Sequence, residues 1–189
     1  MRDLVEQAAK GDQAAFESLV RASAGRLFGI AYRVTRDHAL AEDALQQTLV
    51  TIWDELPRLR DPDRFEAWTY RLIVRNAIAL SKRERRGGPV IRLLPDDAEA
   101  AVPLATHATD DFRRVADRDQ LERAFRRLTP DQRAVLVLQY FNELSLAEIA
   151  DVLAIPIGTA GSRLHHAMRA LRAAIDADDR AITPKERTA

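Results

Sequence analysis

The sequence predicts an all-α protein of two small helical domains joined by an acidic flexible linker, and three observations carry that prediction. Helix formers dominate, with 7 Gly and 8 Pro among 189 residues. Apolar residues recur at three-and-four spacing in stretches on either side of one break. The break, Gly87 to Asp111, opens with Gly87-Gly88-Pro89, contains Pro95 and Pro103, and sustains no helical period. A connection of that length does not suit the inside of one compact domain. The expected division is 1–86, a linker at 87–113, 114–176, and a fraying tail at 177–189.

Three main helices are expected in the first domain, with a short one over Leu4 to Lys10. Phe16, Leu19, Val20, Leu27, Ile30, Ala31 and Val34 make one buried face. Asp37 is placed to cap the next helix, whose apolar positions are Ala41, Ala44, Leu45, Thr48, Leu49, Ile52, Trp53 and Leu56. A loop from Leu59 to Arg64 leads to a helix over Phe65 to Arg86, with Phe65 and Trp68 on its apolar side. Arg71, Arg75, Lys82 and Arg86 line another side.

Four short helices are expected in the second domain. The first runs from Val115 to Leu128 and buries Leu121, Phe125 and Leu128. Thr129-Pro130-Asp131-Gln132 and Ser145-Leu146-Ala147-Glu148 are capping boxes that open the next two. Pro156 forces a turn after Leu153, and Thr159 is expected to cap the last helix, through Ile175.

With no cysteine, disulfides, thiolate zinc sites and thiol redox sensing are excluded. No apolar run approaches a membrane span and the first residues lack signal-peptide order, so membrane insertion is not expected and the cytoplasm is. Formal net charge is zero, yet it is unevenly spread. Arg71 to Arg86 holds six basic residues against Glu84, whereas Asp37 to Glu55 holds five acids and no Lys or Arg. A nucleic-acid interface needs a local basic patch, not a basic protein.

Such a patch falls on a helix-turn-helix. Across Ser145 to Ile175, small Ala150 sits where two helices cross, while Ile149, Val152, Leu153, Leu164 and Leu171 hold the angle. The outward face of the second helix offers Ser162, Arg163, His165, His166 and Arg169, with no acid from Ile157 to Ile175. Arginine can bond guanine at two points in the major groove. Ala154 stands where such turns usually carry glycine, and Gly161 weakens the first turn by roughly 1 kcal/mol relative to alanine. Adjacent His165 and His166 splay apart on a helix, so no metal site is expected.

The run Leu144-Ser145-Leu146-Ala147-Glu148-Ile149-Ala150, then Ile155-Pro156-Ile157-Gly158-Thr159 and Ser162-Arg163-Leu164-His165, resembles the promoter-reading helix-turn-helix of bacterial sigma factors of the sigma-70 family. The extracytoplasmic-function (ECF) class is the nearest in kind. Ala41-Glu42-Asp43-Ala44-Leu45-Gln46-Gln47-Thr48-Leu49, with Trp53 following, resembles that class's polymerase-binding segment. Phe65-Glu66-Ala67-Trp68 and Tyr70-Arg71-Leu72 resemble its promoter-melting segment. The likeness covers about Gly11 to Arg86 and Arg118 to Ile175, as regions 2 and 4 of the family.

The resemblance implies a non-enzymatic initiation subunit that needs no cofactor. Its partners would be core RNA polymerase (the clamp helices of the largest subunit, and the flap), promoter DNA and an anti-sigma factor. It implies docking on the clamp through Glu42, Asp43, Gln46 and Gln47, where relatives usually have Glu in place of Gln47. It implies single-strand reading of the minus-10 element through Arg60, Asp61, Asp63, Arg64, Arg71, Arg75 and Asn76. Relatives commonly place Asn where Arg75 stands; a one-residue offset turns a helical side chain by about 100°, so either Arg75 or Asn76 could meet the flipped base. The minus-35 duplex would be read by Thr159, Gly161, Ser162, Arg163, His165 and His166, with Gly161 often basic in relatives. The other readings are a stand-alone helix-turn-helix regulator and a sigma-like adaptor. The first needs a dimer interface or effector pocket, which the sequence does not display; the second typically carries a receiver domain.

Overall fold

The computed structural model describes residues 1–87 and 111–182, so the expected linker falls almost wholly outside the described residues. Every regular element among them is helical. The first module comprises α1 (Arg2–Ala9), α2 (Gln13–Thr35), α3 (His38–Glu55) and α4 (Phe65–Arg86), with single 3-10 turns at Leu56–Arg58 and Pro62–Arg64 between the last two. The second comprises α5 (Asp111–Arg127), α6 (Pro130–Leu136) continued by a π turn (Val137–Phe141), α7 (Leu146–Leu153) and α8 (Ile157–Ile182).

Local chemistry sets most helix starts. Asp12 and Asp37 accept hydrogen bonds from the amides of Ala15 and Leu40, so α2 and α3 begin with side-chain caps. Thr129 and Gln132 exchange reciprocal bonds, as do Ser145 and Glu148, which gives both expected capping boxes. The packed faces of α2, α3 and α4 meet around Leu19, Leu27, Ile30, Ile52 and Ile73, each at most 2% exposed. That core continues into the second module through α6, where Ala134, Val135 and Leu136 are buried against α2 and α4.

Four expectations are corrected. Thr159 does not cap the last helix: α8 starts at Ile157, and the amides of Thr159 and Ala160 bond the carbonyl of Pro156, so the proline takes the capping place. The residues after Ile175 do not simply fray, since α8 runs on to Ile182. Asp178, 4% exposed, is gripped there by Arg123 at 2.7 Å and Arg127 at 2.5 Å from α5. Trp53 is 50% exposed and Leu121 42% exposed, although both fall on apolar stripes. Helix α5 begins at Asp111, inside the stretch expected to be linker.

Candidate nucleic-acid and polymerase interfaces

The helix-turn-helix is α7 and α8 joined by Ala154-Ile155-Pro156. Ala154 takes the left-handed conformation, φ 52° and ψ 49°, which a Cβ disfavours. The chain accepts this because Ile155 N–H then reaches the Ala150 carbonyl at 3.0 Å, closing the end of α7. Buried Ile149, Ala160 and Ala167, all 0% exposed, let the two helices approach. Glu148, accepting from both the hydroxyl and the amide of Ser145, is held below the usual carboxylate range by those bonds.

On α8, Ser162, Arg163, His165 and His166 are all exposed, Thr159 and Gly161 half-buried. Nothing lies within 4 Å of a Cβ built on Gly161, so the backbone is bare at that point of the outward face. The two histidine rings stand edge to face at 5.8 Å.

On α3, Glu42, Asp43, Gln46 and Gln47 are exposed together, one face of two helical turns. The face continues through residues that sequence periodicity assigned no docking role. Val50 is 62% exposed, and Trp53 packs edge-on against Phe16 at 4.7 Å while half its surface stays open. Their helical phase, one turn on from Gln46 for Val50 and two for Trp53, was the available signal.

Of the residues expected at the minus-10 strand, Arg60, Asp61, Asp63, Arg64 and Arg75 are exposed, Arg71 and Asn76 half-buried. Arg64 stands 4.0 Å from the Asp61 carboxylate, and four of the others are hydrogen-bonded within the chain. Asp61 caps the turn at Asp63 N–H, 3.0 Å, and Asp63 accepts from Arg2 at 2.7 Å. Asn76 donates to the buried Thr48 hydroxyl at 3.0 Å and so ties α4 to α3. Arg71 donates to the carbonyl and carboxylate of Asp151 in α7, at 2.7 and 2.9 Å.

The modules therefore touch, and the seam between them is rich in cations. Lys82 pairs with Asp131 at 2.8 Å, and Arg36 pairs with Glu122. The Arg33 guanidinium lies 3.6 Å from the centre of the Phe141 ring. Arg133 is 3% exposed; burial, reinforced by the charges of Arg85 and Arg36, pushes its pKa down to about 10. Beside the seam an apolar groove of about 360 Å³ is lined by Arg33, Leu121, Phe125, Tyr140, Phe141 and Met168 among others. No group of His, Asp or Glu able to hold a metal ion occurs among the described residues, and no helix is long and apolar enough to cross a membrane.

Comparison with known proteins agrees with both halves of this geometry. Residues 19–87 match the family model of sigma-70 region 2, and residues 118–171 that of sigma-70 region 4. The chain is 34% identical to the ECF RNA polymerase sigma factor SigL of Mycobacterium tuberculosis, over 89% of this chain and 93% of that one. It is 29% identical to the RNA polymerase sigma-H factor of Pseudomonas aeruginosa, over 100% and 96% of the two chains. Against SigE of Mycolicibacterium smegmatis it is 34% identical over 87% of its own length and spans 64% of that relative. Among solved structures, CnrH in complex with the cytosolic domain of CnrY aligns over 94% of this chain and 97% of that one, with a TM-score of 0.63 and 28% identity. RpoE of Bartonella quintana, in complex with the anti-sigma factor NepR, shares the fold at a TM-score of 0.62 and 22% identity, over 86% and 98% of the two chains. With region 2 carrying the acidic α3 face and region 4 carrying the exposed α8 face, the chain belongs to the ECF class of sigma-70-family RNA polymerase sigma factors.

Proposed function

We infer that the chain is a dissociable specificity subunit: it binds core RNA polymerase, directs promoter-specific initiation and does no chemistry itself. It would work in the cytoplasm, where promoter DNA is. The observation that carries this reading is the simultaneous exposure of two chemically distinct faces on separate modules, the acidic and amide-bearing face of α3 and the acid-free outer face of α8.

The α3 face supplies carboxylates and amides at Glu42, Asp43, Gln46 and Gln47 for the polymerase clamp, with Val50 and Trp53 as an apolar extension. A half-exposed tryptophan held by a neighbour suits an interface anchor, since it loses little rotamer freedom on binding. The apolar groove beside Phe125 and Tyr140 is the second seat, suited to the flap. An anti-sigma factor would act by covering these surfaces.

On DNA, Arg163 is assigned the major-groove base contact, with Ser162, Thr159 and the bare backbone at Gly161 admitting a phosphate at close range. His165 and His166 flank it. For the minus-10 strand, the engagement of Asn76 with Thr48 favours Arg75 as the side chain that meets the extruded base. Arg60 and Arg64 would carry phosphates; Asp61 and Asp63 would shape the loop.

Run-off transcription with core polymerase on a genomic library tests the whole reading and returns the promoter sequence. Arg163→Ala should then weaken transcription from that promoter about tenfold while polymerase co-purification is unchanged. Asp43→Arg with Gln46→Arg should abolish co-purification. Wild-type transcription by the first variant at all salt concentrations would remove the assigned recognition helix, and full co-purification of the second would remove the docking face.

A further inference from the structure

The outer surface of α8 holds two kinds of cation, one permanent and one conditional. Arg163, Arg169 and Arg172 are exposed on this helix, and a guanidinium keeps its charge at any working pH. His165 and His166 are exposed too, with their rings edge to face at 5.8 Å. An imidazole is the side chain that gains or loses its charge between about pH 5 and about pH 8. Successive positions on a helix stand about 100° apart, so the two histidines fall on either side of the line from Ser162 to Arg169. Those are the flanks from which a helix seated in a major groove meets the phosphate walls.

Among the described residues no carboxylate pairs with either imidazole. From Ile157 to Ile175 α8 has no acid, and Asp176 stands about three turns beyond His166. Asp178, further on, is held by Arg123 and Arg127. Helices α5, α6 and α7 pack against α8, and their charged groups are placed elsewhere. From α5, Glu122 pairs with Arg36, while Arg118, Asp119 and Arg126 are exposed. From α6, Asp131 pairs with Lys82 and Arg133 is buried. From α7, Glu148 bonds Ser145 and Asp151 bonds Arg71. An anion that meets the two rings must therefore come from outside the chain.

We propose that His165 and His166 make duplex reading proton-linked: they meet promoter phosphates as imidazolium, and α8 grips the upstream duplex more tightly as pH falls. The proposal rests on the assignment of α8 to that duplex. Its sign follows from linkage. The bound form holds more protons than the free form, so affinity rises with proton concentration until both rings are charged in both forms. Above the imidazole range, the arginines alone supply the charge. Each imidazolium that neutralises a phosphate also releases counterions, so the salt dependence steepens together with the affinity.

Binding of holoenzyme to the promoter duplex returned by run-off transcription tests this, because the same core in every sample cancels its own response to pH. Wild-type affinity should rise about tenfold from about pH 8 to about pH 6, and the slope of log affinity against log salt should steepen by about 0.9 for each imidazole charged. His165→Gln with His166→Gln should bind at the low wild-type level at both pH values, with an unaltered salt slope. His165→Arg with His166→Arg should bind tightly at both. Equal pH responses in the wild type and the Gln pair overturn the proposal, as does a wild-type response with no change of salt slope. The underlying assignment is read separately. Arg163→Ala should weaken binding at both pH values. If it does, and the Gln pair titrates like the wild type, α8 still reads the duplex and the proton linkage alone is withdrawn. If Arg163→Ala and the Gln pair both bind as wild type throughout, α8 does not read the duplex and both are withdrawn.

Discussion

The two modules are built by different means. The first is three long helices around an apolar core, with Leu19, Leu27, Ile30, Ile52 and Ile73 almost fully excluded from water. The second sets two short helices, α6 and α7, against the 26-residue α8, and pins the helix ends with polar devices. These are the Thr129–Gln132 and Ser145–Glu148 boxes, the left-handed Ala154, and the Asp178 carboxylate between Arg123 and Arg127. A helix of seven or eight residues such as α6 or α7 does not persist alone, because nucleation costs more than so few bonds return. The short helices that support α8 must therefore be held by local contacts at their ends, whereas a bundle of long helices is oriented by its core.

Five variants, taken from the largest stability effect to the smallest, can break or sharpen that contrast. Ile73→Ala, at a site with 0% exposure, should cost about 3 kcal/mol in denaturant unfolding, because the cavity in a three-helix core cannot close. A loss no greater than that from a cap in the second module would dissolve the distinction. Asp178→Ala should cost about 2 kcal/mol, since two charge-assisted bonds to α5 vanish together. Hydrogen exchange should show the loss concentrated in α5 and the end of α8; uniform loss would mean the clamp is incidental.

Ser145→Ala should cost about 1 kcal/mol, felt at the start of α7. The same box predicts an acid response. The Glu148 carboxyl is depressed in the folded chain, so its contribution is complete above the ordinary carboxylate range and fades as pH falls through the depressed folded value. Glu148→Gln should remove that acid-dependent part of the melting curve, and an unaltered curve would detach the box from it. Smallest in size and opposite in sign, Ala154→Gly should stabilise by about 0.7 kcal/mol, because glycine occupies φ 52° without Cβ strain. A destabilised variant would show that the alanine methyl, not the turn geometry, matters there.

Much of the candidate site was legible because it depends on helical phase. The exposed set on α3 and the outer face of α8 follow from counting residues around a helix, and both capping boxes are signalled within four residues. Phase did not foresee Trp53 and Leu121, since an apolar stripe wider than the available core leaves its edge in water. Nor could it show that Asn76 bonds Thr48, a partner 28 positions away, while Arg75 stays exposed. Thr159 misled because a hydroxyl near a helix start is a good cap in isolation, whereas Pro156 had already supplied the carbonyl.

By itself, then, the sequence determined the helices, their order, the exposure of the two candidate faces and the family, because each of these is encoded by short-range periodicity and by side chains that bond their own backbone. Only the tertiary structure decided that Arg71 is held by Asp151, that Arg133 is buried against α2 and α4, and that Asp178 ends up inside the protein. Those outcomes pair groups 80 residues apart in the case of Arg71, and pairings at such range are set by how whole helices pack. No local pattern records them, because the charge of a side chain does not say which charge will stand opposite it.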